Sequence, residues 1–353
     1  MPLIVGLGAA LVGPAQAGDQ VADFYQGKTI RMIIRAGVGG GYDQYSRLLG
    51  RYIGRHIPGT PSILPVNMPG GGGIVAANHV AQVAPRDGTI LTMVGQGLVV
   101  DQALGINSSF KADLRTFNWI GNLSKSNQIT VAWHTSKTKS YEDARTRETL
   151  IGATGAGSIS TQLPAFYNNI LGTKFKIVHG YPDGRDVDIA MERGEVEGRG
   201  TNPWASYRAM SPRFVSEKLI TPLLQAGLKR DPDLPNVPLI VDVTPKEYLP
   251  LAIFMAKAVS VGRPIATTPG TPHERVYALR RAFDETLKDP DFKREADAQR
   301  AEIDPMDGEE LERTVAELIG APADLRERVK IALEPKARDM TAAPGVKDGK
   351  AKE

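Results

Sequence analysis

Thr29-Ile30-Arg31-Met32-Ile33-Ile34, followed by Arg35-Ala36-Gly37-Val38-Gly39-Gly40-Gly41-Tyr42-Asp43, decides the fold. The first six residues are rich in β-branched side chains and read as a strand. The glycines form a tight turn. Beyond them Tyr45, Leu48, Leu49, Tyr52 and Ile53 recur at i, i+3, i+4, i+7 and i+8, the stripe of an amphipathic helix with Asp43 placed as its N-cap.

The same pattern continues outward. Ile63–Val66 reads as a second strand, which passes through Pro69-Gly70-Gly71-Gly72-Gly73 into a helix. Asp87-Gly88 then turns the chain into a third strand, Thr89–Val94. This β-α-β-α-β order implies parallel strands joined by right-handed crossovers. The middle of the chain starts afresh. Ile129–Trp133 is an expected strand, Ser140-Tyr141-Glu142-Asp143 a capping box, and Leu150–Ala153 leads through Thr154-Gly155-Ala156-Gly157-Ser158 into another helix. Lys176–His179 and a strand headed by Val196 complete a second α/β unit, and Leu219–Gln225 returns the chain to the first. From Pro272 the pattern is helical. Glu334–Glu353 is polar and aperiodic, which reads as a disordered tail.

The 353 residues allow two domains. With 24% charged and 41% hydrophobic residues the chain is globular. Its 37 glycines and 25 prolines fall in discrete clusters, which marks them as turns and not as low complexity. A scattered net charge of +3 offers no electrostatic footprint for nucleic acid. The absence of cysteine excludes disulfides, thiolate metal sites and a cysteine nucleophile. Residues 3–13 are apolar and precede Ala15-Gln16-Ala17, so residues 1–17 read as a secretory signal peptide, although Met1-Pro2-Leu3 brings no positive charge. The mature chain is expected to begin near Gly18 and to be exported.

Three glycine-rich turns thus each follow a strand and open a helix, where ligands of parallel α/β sheets sit. Glycine lets successive N–H groups converge on one point, and the helix N-terminus adds unpaired donors and a positive dipole end. The combination favours a carboxylate or phosphate. The nucleotide motifs fail: Tyr42 stands in the third place of G-x-G-x-x-G, no acidic residue follows about 20 positions on, and no P-loop occurs. The five histidines are far apart, so no metal site is expected, and Ser158 lies outside a G-x-S-x-G frame. Asp183, Asp186 and Asp188 flank an expected helix start, where acidic residues favour the dipole.

In order along the chain, six blocks resemble the substrate-binding proteins of tripartite tricarboxylate transporters, the Bug family. They are Ile33–Asp43, Asn67–Gly73, Ala84–Thr89, Gly155–Ser158, Gly194–Glu197 and Asp233–Pro238. The resemblance implies an α/β two-domain periplasmic binding protein, type II-like, each domain a mainly parallel sheet flanked by helices. It divides the chain into residues 18–125 with 228–333 and residues 126–227. The hinge would lie near Ser124–Gln128 and Gln225–Leu228. Carried over by position, Ala36, Gly40, Gly41, Asp43, Gly70, Gly71 and Gly72 would hold the carboxylate end of a ligand, and Gly155, Gly157 and Ser158 would close over it.

Departures from the family pattern single out further residues. Arg35 replaces a proline and suits either a second carboxylate or a salt bridge on the rim. Tyr42 could reach the cleft or pack on its neighbour, Asp43 would fix the loop, and Gln96 has amide chemistry suited to a cleft. Asn202 and Trp204, with Tyr207, could form a ligand wall or belong to the core. The expected protein is a non-enzymatic, monomeric periplasmic receptor with no cofactor or metal, which presents a small organic acid to membrane permease subunits. An exported enzyme on the same architecture, with Ser158 as nucleophile, and a sensor subunit are the alternatives.

Overall fold

The computed structural model describes residues 14–155 and 157–344. The chain begins with α1 (Pro14–Tyr25), β1 (Thr29–Ile34), α2 (Gly41–Ile53), β2 (Ser62–Asn67) and α3 (Ile74–Gln82). It continues through β3 (Ile90–Met93), α4 (Gly97–Leu104) and β4 (Asn118–Asn122). Crossing over, it forms β5 (Gln128–Trp133), α5 (Tyr141–Thr146), β6 (Thr149–Gly152), α6 (Ile159–Phe166) and β7 (Phe175–His179). Then come α7 (Gly184–Glu192), β8 (Gly198–Pro203), α8 (Trp204–Met210), α9 (Pro212–Ser216) and β9 (Ile220–Ala226). The return contributes α10 (Ile240–Val243), α11 (Leu249–Ser260), β10 (Pro264–Thr267), α12 (His273–Lys288) and α13 (Pro290–Ala298). Last are β11 (Met306–Asp307), α14 (Gly308–Ile319), α15 (Ala323–Leu333) and β12 (Met340–Ala342).

The strands form two six-stranded sheets, ordered β11-β4-β10-β3-β1-β2 and β12-β7-β6-β8-β5-β9. In the first, β1 runs parallel to β2 and β3, as the alternating sequence pattern requires. The strand that returns from the second sheet, β10, inserts antiparallel between β3 and β4. In the second, β6 runs parallel to β7 and β8, while β5 pairs antiparallel with β8 and β9. Both sheets are mixed around a parallel run, β2-β1-β3 in the first and β12-β7-β6-β8 in the second, and the strands next to each crossing enter antiparallel. The fold thus has two lobes, each built on one of the six-stranded sheets.

Each lobe has its own apolar layer. Ile30, Met32 and Ile34 of β1 pack with Leu48, Leu49 and Phe283 in the first lobe. Ile129, Val131 and Trp133 of β5 pack with Val187 and Met191 in the second. A third cluster runs beneath both, joining Leu98 and Val99 of α4 to Leu163 and Phe166 of α6 and to Val329 of α15. It is an apolar seam between the lobes.

Three expectations need comment. The apolar run of the expected signal peptide, residues 3–13, lies outside the described residues, and the position expected for cleavage falls within α1. Its far end is integral to the first lobe: Val21 and Tyr25 are buried, and the Tyr25 hydroxyl donates to the Gly88 carbonyl at 3.1 Å. The stretch read as a disordered tail is ordered in part. Met340, Thr341 and Ala342 pair in parallel register with Ile177, Val178 and His179, because β7 would otherwise be an open edge with unpaired N–H and C=O groups. Residues 345–353 lie outside the described residues. Finally, the N-cap of α2 is Gly40, which puts Asp43 at the third helical position.

Candidate functional site

The carboxyl ends of β1 and β3 and the N-termini of α2, α4 and α6 converge between the lobes on a cavity of about 60 Å³, room for a few water molecules. Arg35, Gly40, Gly41, Tyr42, Gln96, Ser158 and Asn202, all singled out in the sequence, line it. Of the first lobe's turn, Gly40 and Gly41 face the opposite lobe directly. A Cβ on Gly40 would overlap the Asp183 carboxylate, and one on Gly41 would lie 2.6 Å from Nη2 of Arg263. Only glycine permits that approach.

Arg35 is 7% exposed, yet its side chain forms no hydrogen bond or ion pair among the described residues, and its Nε is buried without a partner. Its guanidinium lies 4.2 Å from the ring centre of Tyr42, and that of Arg263 lies 4.3 Å from the same centre. Arg263, 5% exposed, donates from Nη2 to Ser206 Oγ of α8 at 3.0 Å. The Tyr42 hydroxyl accepts from the Gln96 N–H at 3.4 Å, tying the two turns of the first lobe together. A ring face attracts a guanidinium but does not neutralise it.

The second lobe contributes a different kind of charge. Arg199 of β8 is paired with Asp188 of α7 at 2.8 Å, both side chains nearly buried, and donates also to the Asn202 side-chain oxygen at 3.0 Å. Burial pushes the Asp188 carboxyl up against the pull of Arg199. Asp183 caps α7, accepting from the Arg185 N–H at 3.0 Å within a capping box completed by Asp186. In all, four arginines (Arg35, Arg185, Arg199 and Arg263) face two aspartates (Asp183 and Asp188) around the cavity. The balance is positive by two.

Eight residues placed in the site from the sequence do not line the cavity. Ala36 is buried in the turn, its carbonyl accepting from Asn67 Nδ2 at 2.9 Å. Asp43 accepts from the Gly39 N–H, from Arg47 and from Asn67, so it fixes the loop from behind. Gly70, Gly71 and Gly72 do not surround open space: Gly71 and Gly72 pack against the Gly155–Ser158 turn, where a Cβ on Gly155 would lie 2.3 Å from the Gly72 nitrogen. Gly155 and Gly157 are in the same position, because side-chain-free backbones pack on one another across the seam. Trp204 belongs to the core, its indole donating to Asp233 at 3.3 Å and its ring set edge-on to Tyr207. Ser158 caps α6, and its hydroxyl shares a 2.9 Å hydrogen bond with Ser160, with no histidine or acid in reach among the described residues.

Sequence reasoning missed Arg263, Arg199, Asp188, Asp183 and Ser206. Asp183 and Asp188 flank a helix start, and Asp183 does cap it, but both residues also face the cavity. Arg263 had no signal at all. It enters through β10, a strand supplied by the chain's return, and no local spacing connects it with Arg35.

No family model and no curated protein matches the chain. Solved structures do. The periplasmic binding protein BugD is 17% identical over 88% of this chain and 100% of its own, with a TM-score of 0.68. Rpa4515 of R. palustris, solved with adipate, is 18% identical over 86% of this chain and 97% of its own, with a TM-score of 0.68. MatC of Rhodopseudomonas palustris, with bound malate, is 18% identical over 87% and 99%, with a TM-score of 0.64. Over nearly its whole length, then, this chain has the fold of the Bug-type periplasmic solute-binding proteins.

Proposed function

We propose that the protein is an extracytoplasmic receptor that captures a small organic carboxylate between its lobes and delivers it to membrane permease subunits of the tripartite tricarboxylate type. One observation carries the reading: Arg35, a buried guanidinium with no hydrogen-bond partner among the described residues, lines the cavity. A buried charge without a counter-charge is costly, and a carboxylate matches the planar fork of arginine. The N-termini of α2, α4 and α6 add donors and positive potential at the same point. The adipate and malate held by two proteins of the same fold agree with this chemistry.

Capture requires the lobes to part and close, with the connections at Ser124–Gln128 and Gln225–Leu228 as hinge. The ligand is released unchanged, and no residue of the cleft is assigned a bond-making role. Thermal-shift screening of the full chain against mono-, di- and tricarboxylates tests this, since a ligand at 100 times its dissociation constant adds about 2.7 kcal/mol. A saturable hit, recovered chemically intact and lost in Arg35→Met, is the expected result. Turnover of the bound acid, or an unchanged affinity in Arg35→Met, would overturn it.

A further inference from the structure

We propose that Asp101 and Gln162 form a proton-operated latch between the lobes. Closure takes up a proton at the Asp101 carboxyl, so the solute is gripped in the protonated form and loosened as pH rises. The latch does not depend on which solute is captured and needs only that the lobes part and close.

Asp101 belongs to α4 of the first lobe and Gln162 to α6 of the second, and they are 2% and 3% exposed. The Gln162 amide uses both of its hydrogens across the seam, one on Asp101 Oδ1 at 3.1 Å and the other on the Gly97 carbonyl at 3.2 Å. Asp101 Oδ2 and Gln162 Oε1 are left over, both buried and both without a donor among the described residues. A proton on the carboxyl removes its charge and turns one of these two acceptors into a donor.

The two helix starts are packed closely around this pair. A Cβ on Gly97 would lie 2.5 Å from the Gly157 carbonyl oxygen, and one on Gly157 would lie 3.0 Å from Asp101 Oδ2 and from Leu98 Cδ2. Leu98 and Leu163 continue the contact with apolar side chains. A carboxylate in such surroundings is costly, whereas parting α4 from α6 returns it to water. Burial accordingly lifts the Asp101 carboxyl to about 7, and no neighbouring charge adds to the effect or offsets it.

The charges nearby are engaged elsewhere. The Gly71–Gly73 and Gly155–Ser158 turns and α6 carry none. From α15, Arg326 donates to the Ala103 carbonyl, and Glu327, Lys330 and Glu334 line the surface cavity beside the pair. The charged residues of α14 and Lys257 of α11, helices that also pack on α4, are exposed. Arg35 stands at the other end of α4, beside Gly95.

The sign of the coupling follows. With the lobes parted the carboxyl ionises near pH 4, and with the lobes closed it stays protonated up to about pH 7. Between those values each closure takes up a proton, and affinity falls by up to about tenfold for every unit rise in pH. Above them both forms are ionised, uptake stops and affinity levels off.

Isothermal titration of the full chain with malate and with adipate at pH 6 and pH 8, together with small-angle scattering of the solute-free chain at both values, tests the latch. Either acid should bind about tenfold more weakly at pH 8 than at pH 6, with uptake of about one proton at pH 6 read from buffers of different ionisation heat. The solute-free chain should be more open at pH 8. Asp101→Asn, which keeps the shape and carries a donor without the proton, should show the pH 6 affinity and compactness at both values, and it corrects for the solute's own titration. Asp188 and Glu302, whose carboxyls burial also pushes up, are intact in that variant. A pH response that survives in Asp101→Asn belongs to them and overturns the latch. So does an unmodified protein whose affinity and scattering are the same at the two values. If neither acid binds, scattering decides the latch by itself, whatever becomes of the carboxylate reading.

Discussion

Asp101 of α4 and Gln162 of α6 meet across the seam between the lobes. The Gln162 side-chain nitrogen donates to Asp101 Oδ1 at 3.1 Å and to the Gly97 carbonyl at 3.2 Å, while Asp101 Oδ2 is buried against Gly157 with no donor. Burial pushes the Asp101 carboxyl from 3.8 up to about 7, and the Gln162 bond only partly opposes it. From α15, Arg326 donates to the Ala103 carbonyl, and Glu327 and Lys330 line the adjoining surface cavity with Asp101, but none forms an ion pair with it.

That carboxyl binds its proton more tightly in the folded chain than in the unfolded one. Its contribution to stability is therefore fully present below about pH 4, falls as pH rises, and is lost above about pH 7. The full cost of the buried carboxylate is on the order of 4 kcal/mol. Asp101→Asn, which keeps the shape without the charge, should be more stable than the unmodified protein at pH 8. The gap in melting temperature between the two should widen from pH 5 to pH 7 and level off above pH 8. A gap independent of pH would show that Asp101 is solvated.

The seam also makes a steric prediction. Gly72 has φ of +71°, and a Cβ there would lie 2.6 Å from the Ser158 nitrogen and 2.8 Å from the Gly157 carbonyl carbon. Both obstacles are backbone, which cannot rotate away. Gly72→Val should hold the lobes apart, cost about 1–3 kcal/mol, and abolish solute-induced compaction in small-angle scattering. Compaction on solute addition equal to that of the unmodified protein would mean that the two glycine turns part without consequence.

Asp188 and Arg199 offer a test of charge balance. Their side chains are 13% and 10% exposed and lie 2.8 Å apart, and Ser211 donates to the second carboxylate oxygen at 3.3 Å. Asp188→Asn leaves the guanidinium buried without its counter-ion, at a cost of about 3–5 kcal/mol. Adding Arg199→Met should restore most of that loss, measured by urea unfolding. If the double variant is no more stable than the single one, the pair is not coupled.

What could be read from the chain follows from range. The β1–α2 and β6–α6 turns were legible because strand, glycine turn and helix lie within about 25 residues, and local period and turn chemistry suffice. The role of Asp43 behind its loop was legible for the same reason. The division of labour among the glycines was not. Gly40 and Gly72 look alike in sequence, but one faces a cavity and the other a backbone of the opposite lobe, a difference set by how the lobes meet. Arg263 and Trp204 show the same limit from both sides. The guanidinium is brought to the cleft by a strand that returns late in the chain, and the indole is buried by the apolar cluster of the second lobe, its N–H donating to Asp233.

The strand β12 was hidden by composition, and it supports the last prediction. Lys336 to Pro344 look polar and irregular, but Met340–Ala342 need only a free edge to pair with, and β7 provides one. The connection to it is anchored as well: the Asn169 side chain donates to the Ala332 and Glu334 carbonyls at 3.0 and 2.9 Å, fixing the end of α15 to the second lobe. Deleting residues 336–353 should leave that anchor and the solute cavity untouched, since no lining residue lies beyond Arg263. Solute affinity should then stay within about threefold of the full chain, a difference under 1 kcal/mol. The exposed edge of β7, however, becomes a template for pairing between molecules. The truncated protein should self-associate in sedimentation velocity at concentrations where the full chain does not. Monomeric behaviour of both would show that β12 is dispensable as an edge cover.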